Sequence, residues 1–218
     1  MKIVTFACDL YADIAPAFEY LLKKHWPLCP YEVVYVTNSK KLNVKGQVIT
    51  IPGQDIHFGW RLRQFIEHHY SDNLLLFMMI DYLIETVDHP LVMRAHGLCM
   101  QPNIGHVRLR NMPLPASNHP EPGFGNIDKR KRYCLSLQPG IWKTDLLYRL
   151  CDDREDPWNT EIRGSCRVYR LTDLDFITTD TAAIFHCNYY RHGRPYELEW
   201  VRDNVPERLW PDALKEGK

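Results

Sequence analysis

The sequence predicts an α/β fold, with a mostly parallel central sheet flanked by helices in a single domain. Three observations lead there. Leu74-Leu75-Leu76-Phe77-Met78-Met79-Ile80 is a continuous apolar run bounded by Ser71-Asp72-Asn73, as expected of a strand buried on both faces. Through residues 1–100, short β-branched stretches alternate with helical periodicity, the pattern of parallel strands joined by crossover helices. No internal repeat or low-complexity linker divides the 218 residues, which suffice for one sizeable core.

Each element has its own reason. Residues 2–7 (Lys-Ile-Val-Thr-Phe-Ala) read as the first strand, with Asp9 just past its end. Residues 12–25 carry Ile14, Phe18, Leu21 and Leu22 at helical spacing, and Trp26-Pro27 stops them. Residues 32–37 and 47–51 are the next strands, ended by Asn38-Ser39 and Pro52-Gly53. Trp60, Leu62, Phe65 and Ile66 share a face of a helix over 60–69, with Arg61 and Arg63 alongside. The buried strand then ends at Asp81, and 90–100 is helical. Beyond it, 107–110 and 133–137 read as strands, 111–128 as a long Pro/Gly/Asn loop, and 140–151 as a helix. Asp156-Pro157-Trp158 opens a further helix, with Asp as N-cap and Pro at the first position. Residues 182–189 are a last apolar strand before a polar tail.

Composition excludes some functions. Twenty-seven basic residues balance 27 acidic ones, so no global field recruits nucleic acid. No apolar stretch approaches the ~20 residues of a membrane helix, which leaves only peripheral membrane contact. The N-terminal segment reads as a first strand and not as a signal peptide. Seven scattered cysteines without a Cys-x-x-Cys pair point to reduced thiols and an expected cytoplasmic location. The residue chemistry picks out Asp81, because ligands of α/β sheets sit outside the carboxyl ends of the strands. A turn-capping role is its alternative.

Separated stretches together resemble a small group of bacterial and viral glycosyltransferase-like proteins. They are Thr5-Phe6-Ala7-Cys8-Asp9-Leu10-Tyr11-Ala12-Asp13 with Leu21-Leu22-Lys23-Lys24-His25-Trp26-Pro27, then Asp81-Tyr82-Leu83-Ile84. The most distinctive block is Gln138-Pro139-Gly140-Ile141-Trp142-Lys143 with a downstream Pro157-Trp158-Asn159-Thr160-Glu161. The resemblance spans residues 3–190 and implies a glycosyltransferase A-like fold, with a nucleotide-binding half (1–100), an acceptor-side half (101–190) and a C-terminal tail (191–218). It implies an enzyme that transfers a sugar from a nucleotide-diphosphate donor to a carbohydrate or lipid-linked acceptor, and inversion is the expectation that rests on Glu161 alone. One position departs: the family's acidic pair is Ile80-Asp81 here. A divalent Mn²⁺ or Mg²⁺ is the cofactor implied, and a single carboxylate plus substrate phosphates suffices for such ions. A metal-independent site that uses basic residues is the other reading.

The candidate residues follow. Asp9 and Asn38 would meet the nucleotide, with turn chemistry as the plain alternative. Arg61 would pair with a diphosphate. The tract Lys129-Arg130-Lys131-Arg132 would close over the leaving group, or is a solvated charge run. Asp81 and His186 would hold the metal, although a core histidine is the commoner outcome. Glu161 is the catalytic base, since inverting transfer needs a carboxylate to take the acceptor's proton; a capping box is its alternative. Asp156 is the second choice for base. Gln138, Trp142 and Trp158 would bind sugar, with Trp142 also suited to the core. Two rivals stay open. One is a sugar-phosphate nucleotidyltransferase, disfavoured because Cys8-Asp9-Leu10-Tyr11 lacks a Gly-rich basic loop. The other is a non-catalytic nucleotide-sugar or glycan-binding protein.

Overall fold

A computed structural model describes residues 1–191 and 194–215, with only the backbone for Arg191. Strands β1 (Lys2–Ala7), β2 (Val33–Thr37), β3 (Gln47–Thr50) and β4 (Leu74–Met79) form the first half of the sheet. Helix α1 (Ala15–His25) follows a 3₁₀ turn over Asp9–Ile14, and α2 (Phe58–His69) precedes β4. After β5 (Tyr82–Val87) come α3 (His89–Cys99), β6 (Ile104–Arg108), β7 (Ser117–Asn118), β8 (Phe124–Asn126) and β9 (Gly140–Lys143). The chain continues through α4 (Thr144–Leu150), α5 (Pro157–Val168), β10 (Asp175–Thr179) and β11 (Ile184–Asn188). It ends in a small ribbon of β12 (Tyr190–Arg191) and β13 (Arg194–Pro195), then α6 (Leu198–Asn204) and α7 (Asp212–Lys215).

Nine strands make one sheet, in the order β3-β2-β1-β4-β9-β6-β10-β8-β7. Strands β1 to β4 pair in parallel, as do β6 and β10, while β9 runs antiparallel between β4 and β6. The order reverses between β1 and β4, and this switch point is where an α/β sheet opens a crevice. The run 74–78 is buried on both faces. Leu74, Leu76 and Met78 join one cluster with α1 and α3, and Leu75 and Phe77 join a second with α2 and α4. The single domain and the α/β layering match the sequence expectation.

Three segments differ from it. Residues 140–143 are strand β9, and only Thr144–Leu150 is helical. The cause is local: Gly140 lies against His106, where a Cβ would stand 2.5 Å from the imidazole, and Trp142 stacks on that ring at 3.6 Å. Residues 133–137 do not join the sheet but form an irregular strap across it. The loop 111–128 includes the short edge strands β7 and β8, and the 182–189 strand pairs with β5 in a separate ribbon. All seven cysteines are free.

Helices α2 and α5 are locked together by the turn between α4 and α5. The Gly59 amide donates to the Glu155 carbonyl at 2.9 Å, and buried Glu155 holds Arg167 of α5 through a two-point ion pair. A Cβ on Gly59 would stand 2.0 Å from the Asp152 carbonyl oxygen, so only glycine permits this approach. Gly59→Ala is therefore expected to cost roughly 1–3 kcal/mol, a fall in Tm of several degrees by thermal melt. Gly97→Ala in α3, where nothing lies within 4 Å, is the control and is expected to be neutral or stabilising. Equal effects of the two would contradict this packing.

Candidate active site

At the switch point, a cleft of about 540 Å³ lies between the ends of β1 and β4 and the first turns of α2 and α5. Its floor is apolar, made by Phe6, Phe58, Met79 and Leu137. Its polar groups enter from four directions. Arg61 comes from α2, Asp81 from the end of β4, and Asp156 and Glu161 from α5, while Asn188 stands opposite Tyr82 on β11. Trp158 is 59% exposed at the rim, and Tyr11 stacks on Tyr190 at 4.1 Å on the far side.

Asp81 sits half-buried at the end of β4. Burial pushes its carboxyl up to about 7, and no ion pair involving it exists among the described residues. Its place is fixed through the backbone. The Ile80 amide donates to the Phe6 carbonyl at 3.2 Å, and the Tyr189 amide donates to the Asp81 carbonyl at 2.9 Å. Ile80, where the resembled family carries an acid, is fully buried in the apolar core.

Glu161 is held differently. The Ser136 hydroxyl and the Leu137 amide donate to Oε1 at 2.9 and 2.7 Å. Both bonds fall on one oxygen, which leaves the lone pairs of Oε2. Burial raises its pKa; those two donors and the Arg108 charge oppose the rise. Arg108 is fully buried, its own pKa lowered by burial to about 10, and its guanidinium donates to the carbonyls of Met112, Tyr133 and Cys134. It thereby pins the start of the strap whose next residues grip Glu161. Sequence reasoning missed Arg108, since a lone arginine at the end of an apolar strand carries no signal of what it will fasten.

Arg61 is 1% exposed yet lines the cleft. Its Nε donates to the Ile51 carbonyl at 3.1 Å and its Nη1 meets Asp55 at 3.3 Å, whereas Nη2 has no partner. Burial lowers its pKa, with Asp55 opposing.

Of the other expected residues, only Asp156 and Trp158 line the cleft. Burial would raise the Asp9 pKa, but the Ser39 hydroxyl, the Lys40 and Ser39 amides and Thr37 outweigh it and hold the carboxyl near 2. Asp9 is thus a clasp on the loop after β2. Asn38 donates to the Gly53 carbonyl and to Asp55, bracing the same corner. Asp156 accepts from the Asn159 amide at 2.6 Å as the N-cap of α5, although it borders the cleft. Trp142 is fully buried in the core. Gln138 lies on the strap outside the cleft lining. Lys129 donates to the Leu171 and Leu174 carbonyls, and Arg130 pairs with Asp128, so both are tied down away from the cleft. His186 stacks on Tyr82 at 4.3 Å, and burial and Arg110 lower its pKa to about 3. Among the described residues no three His, Cys, Asp or Glu side chains converge to hold an ion. Asp55, Asn188 and Tyr190 are cleft residues outside the quoted motifs, and Cys8, Tyr11 and Tyr82 lie within those motifs but were given no role.

The nine-stranded, mostly parallel sheet with its crevice at the β1/β4 switch is a glycosyltransferase A-like fold. The galactosyltransferase LgtC, solved with donor and acceptor sugar analogues, superposes with a TM-score of 0.53 at 12% identity, over 95% of this chain and 98% of that one. The mannosyltransferase PcManGT of Pyrobaculum calidifontis, solved with GDP-Man and Mn²⁺, gives 0.52 at 11% identity, over 98% and 67%. A cytidylyltransferase from Leptospira borgpetersenii gives 0.54 at 12% identity, over 99% and 92%. No protein-family model and no curated protein matches the sequence. At these identities the likeness is one of fold.

The burial of Asp81 makes a testable demand. The unfolded carboxyl ionises at 3.8 and the folded one at about 7, so between these values the folded chain binds the extra proton. Stability therefore falls as pH rises through that window, by roughly 2–4 kcal/mol. Asp81→Asn is expected to melt several degrees above the parent at pH 8 and level with it at pH 4. A difference independent of pH would contradict the assignment.

Proposed function

We propose that the chain is a glycosyltransferase that moves a sugar from a nucleoside-diphosphate donor to a carbohydrate or lipid-linked acceptor with inversion. The observation that carries this reading is the convergence of Arg61, Asp81 and Glu161 in one cleft at the switch point.

Each residue has a task that its surroundings suit. The free Nη2 of Arg61 donates to an anionic or carbonyl oxygen of the donor, and desolvation strengthens that bond. Asp81 is a half-buried carboxylate without a cationic partner among the described residues, and with Asn188 at the same wall it would hold a Mn²⁺ or Mg²⁺ ion. Such an ion supplies charge neutralisation at the leaving diphosphate. Oε2 of Glu161 takes the proton of the attacking acceptor hydroxyl, while Ser136 and Leu137 keep the carboxylate aimed. Its raised pKa brings it closer to a working pH than an ordinary glutamate. Trp158, one helical turn earlier, offers an aromatic face to the acceptor sugar. The cytidylyltransferase among the similar structures favours a nucleotidyltransferase as the second reading.

A thermal-shift screen of UDP-, GDP-, CDP- and dTDP-sugars, with and without Mn²⁺, tests the donor site. At a hundred times its Kd the right donor adds ~2.7 kcal/mol of stability. The shift is expected to grow with Mn²⁺ and to lose that growth in Asp81→Asn. No shift with any nucleotide would overturn the reading. Glu161→Gln is expected to keep the donor shift and to lower turnover by ~10²–10⁴-fold. Unchanged turnover would remove Glu161 as the base. In the active parent, kcat/KM is expected to fall as pH drops through the raised Glu161 pKa, because the protonated acid cannot accept the proton.

A further inference from the structure

The cleft leaves two features at the carboxyl end of the sheet without a role. One is the rest of the basic tract. Lys129 and Arg130 are tied down, but Lys131 and Arg132 are exposed, and the Arg132 guanidinium lies over the Tyr133 ring at 5.8 Å. The other is a group of large apolar side chains in water. Met112, Leu114 and Tyr133 are all exposed, Leu114 by 70%.

These two features are neighbours. A single guanidinium, that of Arg108, donates to the Met112 carbonyl at 3.1 Å and to the Tyr133 carbonyl at 2.6 Å, so it sets the two loops side by side. Four residues beyond Tyr133, Leu137 enters the cleft. Leu10, Ile56 and Trp158, also exposed, stand on the cleft's rim at this same end of the sheet.

A solvated charge run needs no methionine, leucine and tyrosine beside it. Nucleic acid would want a wider basic surface. Cations beside protruding apolar groups suit an anionic bilayer, which accepts both at one depth. The opposing charges on this loop are largely paired: Asp128 neutralises Arg130, Glu121 pairs with Arg94, and Asp180 lies near the Asn111 end.

We propose that this face seats on an anionic lipid bilayer, with Lys131 and Arg132 against headgroup phosphates and Met112, Leu114 and Tyr133 in the interfacial layer. The docking stands on the surface alone. Its consequence, that the acceptor is lipid-linked and reaches the cleft from the membrane, rests on the transferase reading above.

The test is co-sedimentation of the full chain with phosphatidylcholine vesicles, with and without phosphatidylglycerol, at low salt. Binding is expected only with the anionic lipid. It is expected to fall by about tenfold or more in Lys131→Glu/Arg132→Glu, at roughly fivefold per cation lost. A comparable fall is expected in Met112→Ser/Leu114→Ser. All four positions are exposed, so the melting temperature without ligand is expected to stay as in the parent. No binding to anionic vesicles, or binding that neither variant changes, would overturn the proposal. Vesicle binding without any nucleotide shift would instead leave the docking standing and remove the transferase reading.

Discussion

A half-buried carboxylate without a cation beside it is the constraint on which the site depends. Asp81 follows a strand that is apolar on both faces, and desolvation lifts its pKa to about 7. A desolvated carboxyl without a partner responds by a raised pKa. Here β1 and β4 are packed between two hydrophobic clusters, and the Phe6 and Tyr189 bonds hold residues 80 and 81 in line. A proton on the carboxyl or a cation beside it would each offset that desolvation.

The second carboxylate shows the opposite design. Glu161 is also desolvated, but two donors and a buried arginine offset that penalty. Arg108 acts at a distance, through the strap it fastens at Tyr133 and Cys134. Environment thus separates the two acids: Asp81 has no cationic partner among the described residues, and Glu161 is held by two donors on one oxygen. Helix α5 presents Glu161 and Trp158 together because Asp156 and Pro157 fix its first turn.

What could be read from the sequence follows the locality of each signal. The strands of the β1–β4 half and helices α1 and α2 were legible because hydrophobic period and turn residues speak within a dozen positions. Trp142 was misjudged for helix because Gly140-Ile141-Trp142-Lys143 becomes a strand only through pairing with Leu75 and His106, far away in the chain. Strap 133–137 has the composition of a strand, yet Arg108, Ser165 and Glu161 engage its backbone groups, so it never joins the sheet. Among site residues, Asp81, Glu161, Trp158 and Arg61 fall in the cleft, since strand ends and helix starts can be located locally. Asp9 and Asn38 share that address but bind the β2 loops, and nothing in their spacing distinguishes the two uses. Tyr190 and Asn188 arrive only when the chain's last strands fold back over β5.

The most direct measurement is a crystal structure of the protein with a nucleoside diphosphate and Mn²⁺, read with manganese anomalous scattering. The account predicts the diphosphate in the β1/β4 cleft, an oxygen within hydrogen-bond reach of Arg61 Nη2, and the anomalous peak on the Asp81 carboxylate. A nucleotide bound elsewhere, or phosphates that leave both Arg61 and Asp81 untouched, would contradict it.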